Sequence, residues 1–464
     1  MSKTKSFLYF LTVISSLATL FYGFAMGWYS YIILWFVFLF GSIVFFKQFY
    51  KKETNYIIPL FLGIYSIYTL YMNITNVLYV KNPSTDFFMM VDSMKFWKYT
   101  DYPLYSFSDI FKYFFADLNY TSRYALFSLI NLFFSFFSQL IDENNILVQK
   151  LQSVWIGAFS IPFIYLTFRE YFNQKKSFNY SLFFGVFSFV CIYSIVFNRD
   201  PHVYLMYVLG TYLVVTHKRN KNLYIKLGVL LILTAGFRLE HGLFFLMFIV
   251  GYVYIQSKRD KNKIVLLIMM IPIALLAMGP FLFSKYQDNT EMYQEQIDRV
   301  DRSEASAGAF FSKLPPGAKQ IFMGINSQVA PAVPFWRTFS AKYNGAGALK
   351  HPQAGYFNGW RIMEGVAAVV WLYVIGFIIA GVYHKKFKFV PIELRVILFI
   401  GVLLILAASS SINVRRIYCV YPALFITSMY FYNLLSKRQR KQVLNFTTVG
   451  LIVIYGLYVS IKGF

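Results

Sequence analysis

"YALFSLINLFFSFFSQLI", residues 124–141, is as apolar as a membrane span, and whether it crosses decides how every later segment is placed. The chain around it is built for lipid: of 464 residues, 58% are hydrophobic and only 14% are charged. Apolar runs of about 16 to 22 residues recur from end to end, each long enough to cross a bilayer as a helix. Backbone groups in lipid must be satisfied within their own segment, so these runs read as helices and the fold class is an all-α polytopic membrane protein. The run from Phe7 is not followed by a small-residue cleavage site, and Trp28 leads straight into the next run. It therefore reads as a retained helix and not as a signal peptide.

Orientation follows from the basic residues. A net charge of +24, from 44 basic and 20 acidic side chains, would suggest nucleic-acid binding in a soluble chain. Here the basic residues fall in short loops between spans, where the positive-inside rule accounts for them, and no nucleic-acid partner is expected. Lys3 and Lys5 precede the first span and Lys47, Lys51 and Lys52 follow the second, which puts the N-terminus in the cytoplasm. A third span at 56–76 then exits. Later markers are Arg169/Lys175/Lys176, Lys218/Arg219/Lys221, Lys258/Arg259/Lys261/Lys263, Lys385/Lys386/Lys388 and Lys437/Arg438/Arg440/Lys441, and neighbouring markers bracket one hairpin each. The run at 147–168 must start outside to finish at Arg169, so either residues 124–141 lie along the outer surface or re-enter, which is the preferred reading, or one N-terminal span is misassigned. The expectation is about 13 spans with the C-terminus outside.

The chain then divides into two N-terminal helices at 1–55, a core at 56–284 with its first external loop at 77–146, a large external loop at 285–360, and C-terminal helices at 361–464. The two cysteines, Cys191 and Cys419, fall in or at the end of spans and make neither a disulfide framework nor a ligand cluster. No metal site or cofactor is predicted, and dependence on a divalent metal stays open.

With sides assigned, charged residues gather at the outer mouth. Asp86 and Asp92 follow the third span; "NRDPH" brings Arg199, Asp200 and His202; "FRLEHG" brings Arg238, Glu240 and His241; "NVRRIY" brings Arg415, Arg416 and Tyr418. Each has a plainer reading. Asp86 could cap a helix, Asp92 could sit on a solvated face, and Arg199 with Asp200 could close a turn before Pro201. The histidines could be structural and the arginines could be interface anchors. Anchors that serve only topology favour the inside, however, and this set lies outside. A carboxylate suits activation of an acceptor hydroxyl or amine, and arginine forks suit a phosphate at the lipid boundary.

The layout resembles the GT-C glycosyltransferases, in particular the protein O-mannosyltransferase and aminoarabinose-transferase type. "STDFFMMVDSMKFW" looks like that family's first external loop, with Asp86 the match, and "KLQSVWIGAFSIPFIYLTFREYF" is similar to its "RL.S...G.....Y....R" span. "YSIVFNRDPHVYL", "LTAGFRLEHGLFF" and "RRIYCVYPALF" follow in the family's order over residues 56–435. The chain departs in its two leading spans, in the adjacent Arg199–Asp200, and in lacking a sizeable soluble C-terminal domain.

The resemblance implies an inverting transferase in a bacterial cytoplasmic membrane, working at the outer face on a polyprenyl-phosphate-linked sugar with a glycan, lipid or protein acceptor. It implies Asp86, Asp200 and Glu240 as catalytic candidates. Arg199, Arg238, His241, Arg415, Arg416 and Tyr418 would meet the substrate or lipid phosphate, and Asp92, Trp336, Arg337 and Trp360 are loop candidates. Two other readings stand beside it: a polymerase of envelope polysaccharide repeat units, and a lipid-linked sugar flippase. The latter predicts an internal repeat and midplane polar residues.

Overall fold

A computed structural model of the chain describes residues 2–79, 96–97, 101–116, 125–216, 222–257, 359–408 and 417–462, with isolated positions at 315, 318, 321, 325 and 328. Every regular element among the described residues is helical. Five segments there are long and apolar enough to cross a membrane: Lys3–Met26, Tyr29–Phe49, Lys51–Val77, Ile146–Arg169 and Met363–Tyr383. The chain forms two compact units, residues 1–242 with 334–371 and residues 243–333 with 372–464.

The first unit holds α1 (Ser2–Met26), α2 (Tyr29–Phe49), α3 (Thr54–Tyr79), α4 (Phe107–Ala116), α5 (Ala125–Gln139), α6 (Ile146–Arg169), α7 (Gln174–Phe187), α8 (Phe189–Ser194), α9 (Asp200–Thr216) and α10 (Leu223–Phe237). Helix α6 is its axis, packed by α2, α3, α5, α7, α8 and α9. Gly157 makes this close approach possible, because a Cβ there would collide with the Ser194 side chain of α8. The run after Lys176 is a broken helix: Ser188 adopts extended backbone (φ −108°, ψ 167°) between α7 and α8.

Amphipathicity is inverted in the first helix of this unit. Helix α1 exposes Phe7, Phe10, Leu17 and Phe21 while burying Ser15 and Thr19. In water the apolar stripe of a helix turns inward; a stripe turned outward, over buried hydroxyls, is stable only in an apolar medium. The protein is membrane-embedded.

The two ends of the unit are chemically distinct. At one end the Lys5 ammonium sits 3.9 Å from the centre of the Tyr56 ring. Arg169 Nε pairs with Glu53 Oε1 at 3.2 Å, and Tyr165 also donates to Glu53. Three basic markers expected on one side of the membrane are therefore neighbours. At the other end Trp28 donates to Glu143 (3.1 Å), the Ser30 N–H donates to Asp142 (2.8 Å), and Asn144 donates to Asp101 (3.0 Å). The 24 residues of α6 put about 36 Å between the two.

The stretch at 124–141 becomes α5, whose 15 residues rise about 22 Å, short of the ~30 Å hydrocarbon core. Its buried face is largely polar, with Ser128, Asn131, Ser135 and Ser138 beside Phe127 and Leu132, and Phe133 is exposed. Like α1, helix α5 buries polar side chains and exposes a large apolar one.

The second unit holds α11 (Leu239–Ser257) from residue 243, α12 (Gly359–Tyr383) from residue 372, α13 (Ile392–Ala408), α14 (Tyr421–Leu434) and α15 (Lys437–Lys462). Phe377, Ala380, Leu435 and Val443 form a core between α12 and the α14–α15 corner, and Ser428 donates to the Val374 carbonyl at 2.8 Å.

Candidate active site

The charged cluster is built by two helix breaks in the first unit. Residues 195–199 leave the helix after α8, and Asp200 opens α9 with Pro201 behind it, where a missing N–H is harmless. The Asp200 N–H donates to Asn198 Oδ1 at 3.3 Å. Arg238 is a single extended residue (φ −162°, ψ 111°) between α10 and α11, and its N–H closes α10 on the Thr234 carbonyl at 2.8 Å. That one residue turns the arginine side chain across to α9.

Arg238 Nη1 lies 3.2 Å from Asp200 Oδ1, and the two side chains are only 5% and 4% exposed. On its other flank, Nε is 3.6 Å from Glu240 Oε2, whose side chain remains 37% exposed. Arg199 and His241 also act electrostatically on Glu240. His241 is buried, its carbonyl accepts from Tyr207 Oη at 3.3 Å, and the two rings meet edge to face. Five sequence candidates, Arg199, Asp200, Arg238, Glu240 and His241, thus come together. Asp200 reaches across to a second hairpin, a longer-range pairing than a turn-closing contact with Arg199.

Tyr418 is buried in a 3-10 turn, Tyr418–Val420, of the second unit, and Trp360 lies in the first turn of α12. Asp86, Asp92, Trp336, Arg337, Arg415 and Arg416 lie outside the described residues. Among the described residues no group of three or more His, Cys, Asp or Glu could hold a metal, and Cys191 and Cys419 are buried free thiols.

Sequence reasoning overlooked a buried polar seam beside this cluster. Lys150, fully buried in α6, donates to Asn76 Oδ1 of α3 at 2.7 Å. Two residues on, Gln152 Nε2 donates to Asn131 Oδ1 at 2.6 Å and to Gln149 Oε1 at 2.9 Å, while Gln149 donates to Ser135 Oγ at 2.9 Å. Ser153 Oγ donates to the Asn198 carbonyl at 3.4 Å and ties the seam to the turn that carries Asp200. The signal was present: Gln149, Lys150, Gln152 and Ser153 interrupt an otherwise apolar run, and polar residues within a span are costly enough to mark function.

A pocket of about 500 Å³ opens in the same unit among α4, α5, α6, α9 and α10. Its walls are Phe107, Phe111, Phe133, Trp155, Met206 and Phe237, with Gln152 and His202 as its polar lining residues. The His202 ring is held by Phe127 and Phe237, at centroid distances of 5.3 and 4.8 Å. The pocket therefore adjoins the ion pair in sequence on two sides, through His202 two residues from Asp200 and Phe237 next to Arg238. No family model matches the chain, and no curated protein or solved structure matches it either.

Proposed function

We propose that the protein is a membrane glycosyltransferase that moves a sugar from a polyprenyl-phosphate-linked donor to a cell-envelope acceptor at the outer face of the membrane. The observation that carries this reading is Arg238, held between buried Asp200 and half-exposed Glu240. A guanidinium oriented in this way presents its remaining N–H groups to a phosphate, and the charged set lies beside an apolar pocket open to lipid. In this reading Arg238 and Arg199 receive the phosphate, Asp200 fixes the arginine, and Asp86 or Glu240 takes the acceptor proton. The finer topology proposed with it has about 13 spans, a cytoplasmic N-terminus and the cluster outside.

The test compares envelope glycans and lipid-linked sugars in cells carrying the parent protein, no protein, or Asp86→Asn, with membrane levels matched by immunoblot. Loss of one sugar substituent together with build-up of its lipid donor, in both the deletion and the variant, is the expected result. Shortened glycan with single repeat units retained would replace the reading with a polymerase. Glycans that change in the deletion and not in Asp86→Asn would remove the catalytic assignment.

A further inference from the structure

The apolar pocket holds two features that a passive lipid-facing groove has no use for. Gln152 and His202 are 1% and 2% exposed, and both line its interior. Gln152 spends its amide N–H groups on Asn131 and Gln149, which leaves Oε1 without a hydrogen-bond partner among the described residues. By geometry neither ring nitrogen of His202 makes a hydrogen bond there, although the Arg199 backbone acts electrostatically on the ring. Buried polar atoms are almost always satisfied, so two orphaned groups in one cavity mark the place of a missing partner.

The chemistry of that partner follows from what each atom lacks. Gln152 Oε1 is an acceptor and needs a donor; a neutral imidazole offers one N–H and one bare nitrogen. A single hydroxyl, or an amide, answers both. A charged head does not fit, because no lining residue is charged and an uncompensated ion is expelled from such surroundings. The rest of the occupant must be hydrocarbon, since the remaining walls are Phe, Leu, Ile, Met and Trp, and about 500 Å³ is ligand-sized. Phe107, Phe111 and Phe133 line the pocket and are also exposed on α4 and α5, a route by which a chain could enter sideways from the bilayer.

We propose that this pocket is a binding site for a single-chain membrane amphiphile with a small uncharged head, a hydroxyl or an amide, seated against Gln152 and His202. The proposal needs no transfer chemistry and stands or falls apart from the transferase reading.

The experiment uses the purified full chain in phosphatidylcholine nanodiscs and a 16-carbon primary alcohol carrying a mid-chain diazirine. After irradiation, label is expected on peptides containing Phe107–Phe111, Leu129–Phe134 or His202–Met206. 1-Hexadecanol should compete at about tenfold lower concentration than hexadecane or hexadecanoate, the factor expected of one well-made hydrogen bond. Gln152→Leu and His202→Phe should each abolish that preference while some label remains. Leu205→Trp, which fills the cavity and leaves both polar groups in place, should abolish the label, and it keeps the test decisive if either polar variant fails to fold. Label confined to other segments, or equal competition by the alkane and the alcohol, would overturn the site.

Discussion

Breaking the Asp200–Arg238 pair tests the reading of the cluster most directly. At 3.2 Å the two charges attract by about 5 kcal/mol at an effective dielectric of about 20. Desolvating each ion costs several kcal/mol, so the intact pair is near break-even and its worth lies in what either member costs alone. The geometry makes the two single replacements unequal. Arg238→Met removes the cation 3.2 Å from Asp200, whose side chain is 4% exposed, and should destabilise by about 3–5 kcal/mol, the cost of breaking a buried pair from one side. Asp200→Leu leaves Arg238 with Glu240 at 3.6 Å, a partner that is 37% exposed, and should cost less, about 2 kcal/mol. The double variant removes both buried ions and should recover to within about 1 kcal/mol of the parent. Unfolding by SDS in mixed micelles, followed by tryptophan fluorescence, measures all four corners of the cycle. Additive losses, or single losses below about 1 kcal/mol, would mean that the pair is solvated in the folded protein and that Arg238 is not held in place.

Two further predictions concern α4 and α5. Asp109 Oδ2 accepts from the backbone N–H of Ser106 (2.8 Å) and of Tyr105 (3.0 Å), and these bonds, that of Ser106 foremost, hold its carboxyl below the ordinary 3.8. A depressed folded value means that the cap is intact above pH 3.8 and is lost as pH falls through the lower folded value. Hydrogen exchange at these two amides, corrected for intrinsic rate, should accelerate below that pH in the parent and lose the dependence in Asp109→Asn; a parent profile without a step would refute the cap. On α5, Asn131→Leu removes the acceptor 2.6 Å from Gln152 Nε2 and should cost about 1–3 kcal/mol in the SDS assay. Phe133→Leu on the exposed side should stay within about 0.5 kcal/mol, and the reverse ranking would mean that α5 faces water.

Much of the architecture was legible because lipid imposes a simple rule. Long apolar runs had to be helices, and the ends of α3 and α6 fall within three residues of the runs read at 56–76 and 147–168. The basic loops near residues 5, 52 and 169 meet at one end of the first unit through Lys5–Tyr56 and Glu53–Arg169, as charge asymmetry leads one to expect. Parity alone kept residues 124–141 from being read as a span, and the helix described there covers 15 of those residues. What the letters could not carry was direction around the helix axis. Ser128, Asn131, Ser135 and Ser138 fall on one stripe at helical spacing. In a soluble chain that stripe would mark the outside, yet here it is the inside. Asp200 had an arginine as its sequence neighbour, and nothing local says that Arg238, 38 residues on, is the one that reaches it.

The inversion also explains why the polar cluster and the apolar pocket adjoin. In a bundle whose exterior is apolar, polar side chains can be satisfied only by one another, so they collect in a seam: Asn76 to Lys150, Gln149 to Ser135, Gln152 to Asn131, Ser153 to the Asn198 carbonyl, Asp200 to Arg238. Such a seam closes on itself wherever its donors and acceptors balance. Gln152 Oε1 and the His202 ring are two of the points where they do not, and there the gap coincides with a cavity. An unbalanced seam inside a membrane protein carries a standing free-energy penalty that tight packing would remove, and the surrounding phenylalanines leave room instead of filling it. That combination makes sense for a site that is completed by something arriving through the lipid.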